Sequence, residues 1–334
     1  MASTVLLLLF AAAAAAAFTS VAAVDDHQSP DSPAMYKLKA SLEFPPGSQF
    51  LINWNNVNDT CKWAGVRCDG AGRVWQIVIE NYGLKGTFPE AVLRELPCLS
   101  EFYAGRNNFT SFPPDLFRNL SNLETLSLDY NIFLKSWQIP ETLTAARKLK
   151  FFSAAGCNIN GRFPEFLTGD NFPALQHLHL SYNSLSGHLP SQLPTTLRTL
   201  WLNHQDGKDP LSGGISVLQG MKRLSQAWLH VNTFSGEIPD LSGLTSLQDF
   251  LVGYNCLTGT VPETMASIPS LQNVNLAHNH LTGTIPRNIN RLTGLLTLDL
   301  SYNQLSGCVP TGFLHNVTVI TDGNVDINGK CPPP

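Results

Sequence analysis

The sequence predicts an α/β solenoid: a right-handed superhelix of about ten repeats, preceded by an N-terminal cap that contains a disulfide. Three observations predict it. The pattern L-x-x-L-x-L-x-x-N-x-L-x-G-x-x-P recurs about every 24 residues after Arg73. Apolar and polar residues alternate through the first half of each copy, the period of a strand buried on one face. A segment of different composition, rich in Trp and holding Cys61 and Cys68, stands ahead of the first copy.

The chain opens with MASTVLLLLFAAAAAAAFTSVAA, an apolar stretch followed by small residues, with Val21 and Ala23 placed as the −3 and −1 residues of a secretory cleavage site. Residues 1–23 are therefore expected to be a signal peptide. The stretch lacks a positive charge ahead of its apolar core, so an uncleaved anchor is the competing reading. Residues 24–73 are expected to be the cap, which covers the first turn of the solenoid core. Met35, Leu38, Leu42 and Phe44 are spaced for one amphipathic helix. Beyond it, Cys61 and Cys68 bracket Trp63, and Asp69-Gly70 marks a turn, so a Cys61–Cys68 disulfide is expected. A metal site is the alternative, but no His or further Cys lies at ligand spacing.

The repeats are expected over 74–312. Counted from the first apolar slot, they begin at Val74, Leu99, Leu123, Leu149, Leu175, Leu197, Leu224, Leu247, Leu271 and Leu295. The two clearest copies are LQNVNLAHNHLTGTIP and LLTLDLSYNQLSGCVP. Within a copy, residues such as Leu298 and Leu300 suit a short strand with alternate side chains in the core. One repeat cannot bury that face alone, whereas a stack can, with parallel strands along the concave side. This is the leucine-rich-repeat arrangement. The Asn slot (Asn107, Asn131, Asn183, Asn232, Asn255, Asn279, Asn303) places an amide where the chain turns inward, to satisfy buried backbone groups of neighbouring coils. In the fourth copy the slot holds Cys157, read as a buried thiol. The Gly slot (Gly86, Gly161, Gly187, Gly236, Gly259, Gly283, Gly307) permits a turn that a Cβ would hinder.

Residues 313–334 are read as a C-terminal tail; Cys308, at the end of the last repeat, and Cys331 are placed to close a terminal loop. Cys98, Cys157 and Cys256 fall inside repeats, where small buried thiols are common. The sequons at Asn58, Asn108, Asn119 and Asn316 fit glycosylation of a secreted, extracellular chain.

Of the 334 residues, 43% are hydrophobic and 14% charged, which suits a folded chain with a large core. The net charge of −4 and the lack of any basic run argue against nucleic acid as a partner. No segment beyond the first 23 residues has the roughly 20 continuous apolar residues of a membrane span. No nucleophile–base pair, carboxylate dyad or metal motif stands out, so neither catalysis nor a cofactor is expected. Asp129, Asp249 and Asp299 lie on different strands and read as solvated charge.

The cap motif CKWAGVRC (61–68), together with repeats ending L-x-G-x-I-P, resembles the extracellular regions of plant leucine-rich-repeat receptor kinases. Three stretches are similar to the transmembrane-kinase (TMK) branch: FLKSWQIPETL, LRTLWLN with its enlarged loop, and LSQAWLHVNTFSG. The tail VPTGFLHNVTVITDGNVDINGK is similar to the segment that precedes the membrane span in such receptors, but no span follows here. The non-repeat island of those receptors is also absent. The chain has no glycine-rich phosphate loop, no V-A-I-K-like lysine and no H-R-D segment, so the resemblance implies recognition and not kinase activity. It implies a part in auxin-linked cell-surface signalling, through an extracellular protein or peptide such as a receptor kinase or an auxin-binding protein. The alternative is an inhibitor of a secreted wall-degrading enzyme such as polygalacturonase, since those inhibitors also carry about ten plant-type repeats. Against it, they usually hold a tighter pair of cysteines after the last repeat.

The candidate binding surface is the concave face of repeats five to seven. Strand residues alternating with the buried leucines read His177 and His179, then Trp201, then Trp228 and His230. Parallel strands lie roughly 4.8 Å apart, so the two tryptophans should be lateral neighbours able to anchor a protein partner. The competing reading packs them on each other and on the loop from Asp206 to Pro210. The histidines, with a reference pKa near 6.5, would make the contact sensitive to extracellular acidity. A zinc site from His177, His179 and His230 lacks a carboxylate or Cys partner.

Overall fold

The computed structural model describes residues 29–56, 58–88, 92–314 and 316–332; the expected signal peptide lies outside them. A twelve-stranded sheet runs the length of the described chain. Its first strand, Val66–Cys68, pairs antiparallel with Val74–Val78. From there every step is parallel, one strand per repeat, to Thr297–Asp299 and then Thr318–Ile320. The middle residue of each strand enters the core: Phe250 pairs with Val274 and Val274 with Leu298, all three buried. The flanking residues face the concave side.

The outer layer of the repeats holds further short strands and five 3₁₀ turns: Leu93–Glu95, Glu141–Ala145, Ser216–Gly220, Glu263–Ser267 and Arg287–Arg291. The α-helices among the described residues are both in the cap, Ser32–Ser41 and Gln49–Asn56. The helix expected from Met35 to Phe44 therefore ends earlier. Leu42 leaves it to pair as a strand with Gly86. The second helix, not anticipated, contributes Phe50 and Trp54. Trp54 stacks on Trp63 at 4.6 Å and donates Nε1–H to the Ala64 carbonyl at 3.0 Å.

The cap is fastened to the first coil through Asp31. One carboxylate oxygen accepts from Arg73 at 2.6 Å and the other from the Val74 backbone N–H at 2.8 Å. The Cys61–Cys68 and Cys308–Cys331 disulfides are both present. Gly65, at φ +76, permits the close crossing of cap and solenoid, because a Cβ there would collide with the Val78 carbonyl.

A ladder of side-chain amides joins the coils. Asn183 donates to the carbonyls of Ala154 (2.8 Å) and Leu180 (3.0 Å), and its oxygen accepts from the N–H groups of Cys157 and Ile159, both at 3.0 Å. In the sixth coil Gln205 takes this place: it donates to Leu180 (2.9 Å) and Leu202 (3.0 Å) and accepts from Leu185 N–H (2.9 Å). The segment read as a tail continues the solenoid. Thr318–Ile320 extends the concave sheet, Asp326–Lys330 pairs with Gln304–Val309, and Asn324 serves as a further rung by donating to the Leu300 and Thr321 carbonyls, both at 2.9 Å.

Candidate functional site

Strand register brings the predicted residues of repeats five to seven together. His177 pairs with Thr199 and Thr199 with Gln226; His179 pairs with Trp201 and Trp201 with Trp228. The second set forms one column of parallel rings. His179 lies on Trp201 at 3.8 Å and 8°, and Trp201 on Trp228 at 4.2 Å and 6°. The tryptophans are half-buried, while His179 is only 8% exposed.

The column is held by hydrogen bonds across the sheet. The Thr199 hydroxyl lies 2.9 Å from His177 Nδ1 and 2.7 Å from His179 Nε2, bridging the two imidazoles. Trp201 Nε1–H donates to Gln226 at 3.2 Å, Gln226 donates to Asp249 at 3.0 Å, and Asn273 donates to the other Asp249 oxygen at 2.8 Å. Trp228 Nε1 and His230 Nδ1 are shielded from solvent and have no protein hydrogen-bond partner. The amide oxygens of Asn131, Asn232 and Asn288 share this state.

His230 stands apart from the column, with its ring edge-on to His204 at 5.2 Å. The expected sensitivity to mild acidity does not fit this packing. Burial, with a smaller effect from His177, pushes His179 down to about 3, and burial together with His204 pushes His230 down to about 4. His177 is also lowered, chiefly by burial. Of the three histidines weighed as zinc donors, His177 and His179 both meet the Thr199 hydroxyl, while His230 turns to His204.

A second aromatic row escaped the sequence reading. The residue just ahead of each ladder amide takes a left-handed conformation, with φ between 52° and 56° at Tyr130, Tyr182, His204, Tyr254, His278 and Tyr302. Tyr182 stacks on His204 at 4.6 Å, and His278 lies between Tyr254 (4.0 Å) and Tyr302 (4.2 Å). The signal was present as the recurring pairs Tyr-Asn and His-Asn, since aromatic residues seldom adopt positive φ.

The unpaired cysteines differ from one another. Cys157 is buried and its thiol donates to the Leu128 carbonyl at 3.1 Å, but Cys98 is partly exposed and Cys256 exposed, contrary to the expectation of buried thiols. Burial raises the Cys157 thiol to about 12. Asn58, Asn119 and Asn316 are exposed and Asn108 is half-buried. No sequon falls between Asn119 and Asn316, the stretch that holds the ring column.

Residues 28–69 match the leucine rich repeat N-terminal domain, and residues 174–195, 270–292 and 294–316 match the leucine rich repeat. The chain is similar to the receptor-like kinase TMK2 of Arabidopsis thaliana, with 38% identity over 271 residues, covering 73% of this chain and 30% of that protein. It is similar to TMK4 of the same plant, with 36% identity over 263 residues, covering 71% and 27%. Among solved structures, the ectodomain of the Arabidopsis receptor kinase HAESA bound to the peptide hormone IDA matches with a TM-score of 0.73 and 31% identity, covering 84% of this chain and 46% of that one. The same receptor with IDA and the co-receptor SERK1 matches with a TM-score of 0.72, 31% identity, and 84% and 47% coverage. The chain thus spans less than a third of the length of the TMK kinases it matches, and no helix among the described residues is long and apolar enough to cross a membrane.

Proposed function

We propose that this leucine-rich-repeat chain, similar to the ectodomains of plant receptor kinases, is a non-catalytic recognition module of the cell surface or extracellular space that binds a protein or peptide on its concave sheet. The observation that carries this reading is the ring column: two tryptophans at equivalent places on adjacent coils, at the centre of a sequon-free surface, beside a shielded Trp228 Nε1 that lacks a protein partner. Half-exposed aromatic rings flanked by amides and hydroxyls provide large contact area at small entropic cost and often anchor protein partners. The HAESA structures, with a peptide hormone and a co-receptor bound, support the same class of partner. The TMK likeness suggests auxin-linked growth signalling as the setting, with a receptor kinase or an auxin-binding cell-surface protein as the partner.

The test is an affinity capture from wall fluid and solubilised plasma membrane, run in parallel with the glycosylated wild-type chain and a folded variant carrying Trp201→Ala and Trp228→Ala. Proteins captured by the wild type and lost from the variant define the partner, and receptor kinases or auxin-binding proteins are expected among them. An identical set on both baits overturns the assignment of the site. Selective recovery of pectin-degrading enzymes overturns the signalling reading.

A further inference from the structure

The left-handed row has a vacancy. Where it is filled, successive rings lie 4.0–4.6 Å apart. Between Tyr130 and Tyr182 the corresponding residue is Gly156, at φ +62, and the rung has no side chain. Tyr130 settles against that glycine, since a Cβ there would lie 3.1 Å from its Cδ1. The two tyrosines are 45% and 47% exposed. His204 stacks on Tyr182 from the next coil, and among the described residues no ring stacks on Tyr182 from the glycine side.

The row itself shows which flat group suits it. One coil earlier, Arg106 occupies the equivalent position and lays its guanidinium 5.6 Å from the centre of Tyr130. The charge beside the vacancy has the complementary sign. Asp129 accepts from the Ala155 N–H at 2.7 Å and from the Ser153 hydroxyl at 2.6 Å, which fixes its carboxylate next to Gly156. Among the described residues no contact ion pair uses it, and Arg106 acts on it only through space, while burial raises its pKa. A half-buried carboxylate without a contact cation gains from a planar one brought alongside.

We propose that the vacant rung over Gly156, walled by Tyr130 and Tyr182 and flanked by Asp129, receives the guanidinium of an arginine carried by a polypeptide partner. The slot lies off the tryptophan column and stands or falls separately from it. A planar, delocalised cation stacks on both rings while hydrogen-bonding the carboxylate. A lysine ammonium offers only a point charge, and citrulline keeps the shape without the charge.

The experiment titrates the glycosylated chain, with ¹³C-labelled tyrosine rings assigned by single Tyr→Phe substitutions, with acetyl-Gly-Arg-Gly-amide and its lysine and citrulline counterparts. Saturable shifts are expected at Tyr130 and Tyr182 with the arginine peptide, and about two- to fivefold weaker binding of the other two. Tyr182→Ala and Asp129→Asn should each weaken the arginine peptide by a similar factor, while unchanged Tyr254 and Tyr302 signals show that both variants remain folded. Equal response to citrulline, shifts spread evenly over Tyr254 and Tyr302, or no saturation in the millimolar range overturns the proposal.

Discussion

Trp201 and Trp228 lie face to face, 4.2 Å apart and 6° from parallel, because register-matched parallel strands carry them to the same place on adjacent coils. Their positions are unequal. Trp201 is stacked on both faces, by His179 and by Trp228, whereas Trp228 has one ring partner in the column. Each aromatic pair contributes about 0.5–1.5 kcal/mol beyond area burial. Trp201→Ala is therefore expected to cost more than Trp228→Ala, by about 1 kcal/mol. Paired denaturant titrations check this, and the reverse order would show that the column contributes little to stability.

Much of the site was legible because a strand period and a repeat period together fix both the face and the lateral neighbour of a residue. His177, His179, Trp201 and Trp228 could be placed on one surface from spacing alone. What spacing could not give was side-chain direction. The turn of His230 toward His204, the Thr199 bridge and the desolvation of His179 depend on rotamers and packing. The second cap helix was missed because Gln49–Asn56 is short and follows a Pro-Pro-Gly break. The final coil was missed because its strand Thr318–Ile320 carries no leucine and only Asn324 preserves the pattern.

Acid should destabilise the fold through the buried histidines. Folded-state values of about 3 for His179 and about 4 for His230 lie below the unfolded value of roughly 6.5, so the unfolded chain binds more protons between these limits. Stability is expected to fall as pH drops below about 6.5 and to level off near 3, with a slope of at most about 1.4 kcal/mol per pH unit per histidine. His179→Gln should flatten this slope between about pH 6 and 4 in unfolding titrations. An unchanged slope would place the proton uptake elsewhere.

Gln205 replaces the ladder asparagine where the sixth repeat is enlarged, and its longer side chain reaches the same classes of backbone group. Gln205→Ala leaves the Leu180 and Leu202 carbonyls and the Leu185 N–H without this partner, at an expected total cost of about 2–4 kcal/mol. Gln205→Asn should recover less than half of that, because the amide stops one methylene short. Full recovery by Asn in thermal unfolding would mean that the coil adjusts its backbone to the shorter chain.

Thiol reactivity should separate Cys256 from Cys157. Cys256 is exposed on the strand Cys256–Thr258, whereas Cys157 is buried with its thiol raised to about 12. The thiolate is the reactive form. Iodoacetamide at neutral pH is expected to alkylate Cys256 in the native protein and Cys157 only after denaturant is added, as peptide mass mapping would show. Native labelling of Cys157 at a comparable rate would mean that the fourth coil opens readily.

The last coil should be separable from the rest in stability. Solenoid coils contact only their neighbours, so a terminal coil is held by one interface and by whatever bonds reach across it. Here those are the backbone pairing of Thr318–Ile320 and Asp326–Lys330 with the preceding coil, the two carbonyl contacts of Asn324, its acceptance of the Leu305 N–H at 3.0 Å, and the Cys308–Cys331 disulfide. Asn324→Ala removes the amide contacts and leaves the disulfide. Hydrogen exchange is expected to quicken at Leu305 and across Thr318–Ile320, while the amides of Thr199–Trp201 keep their protection. Faster exchange in both places would mean that the final coil and the ring column open as a single cooperative unit.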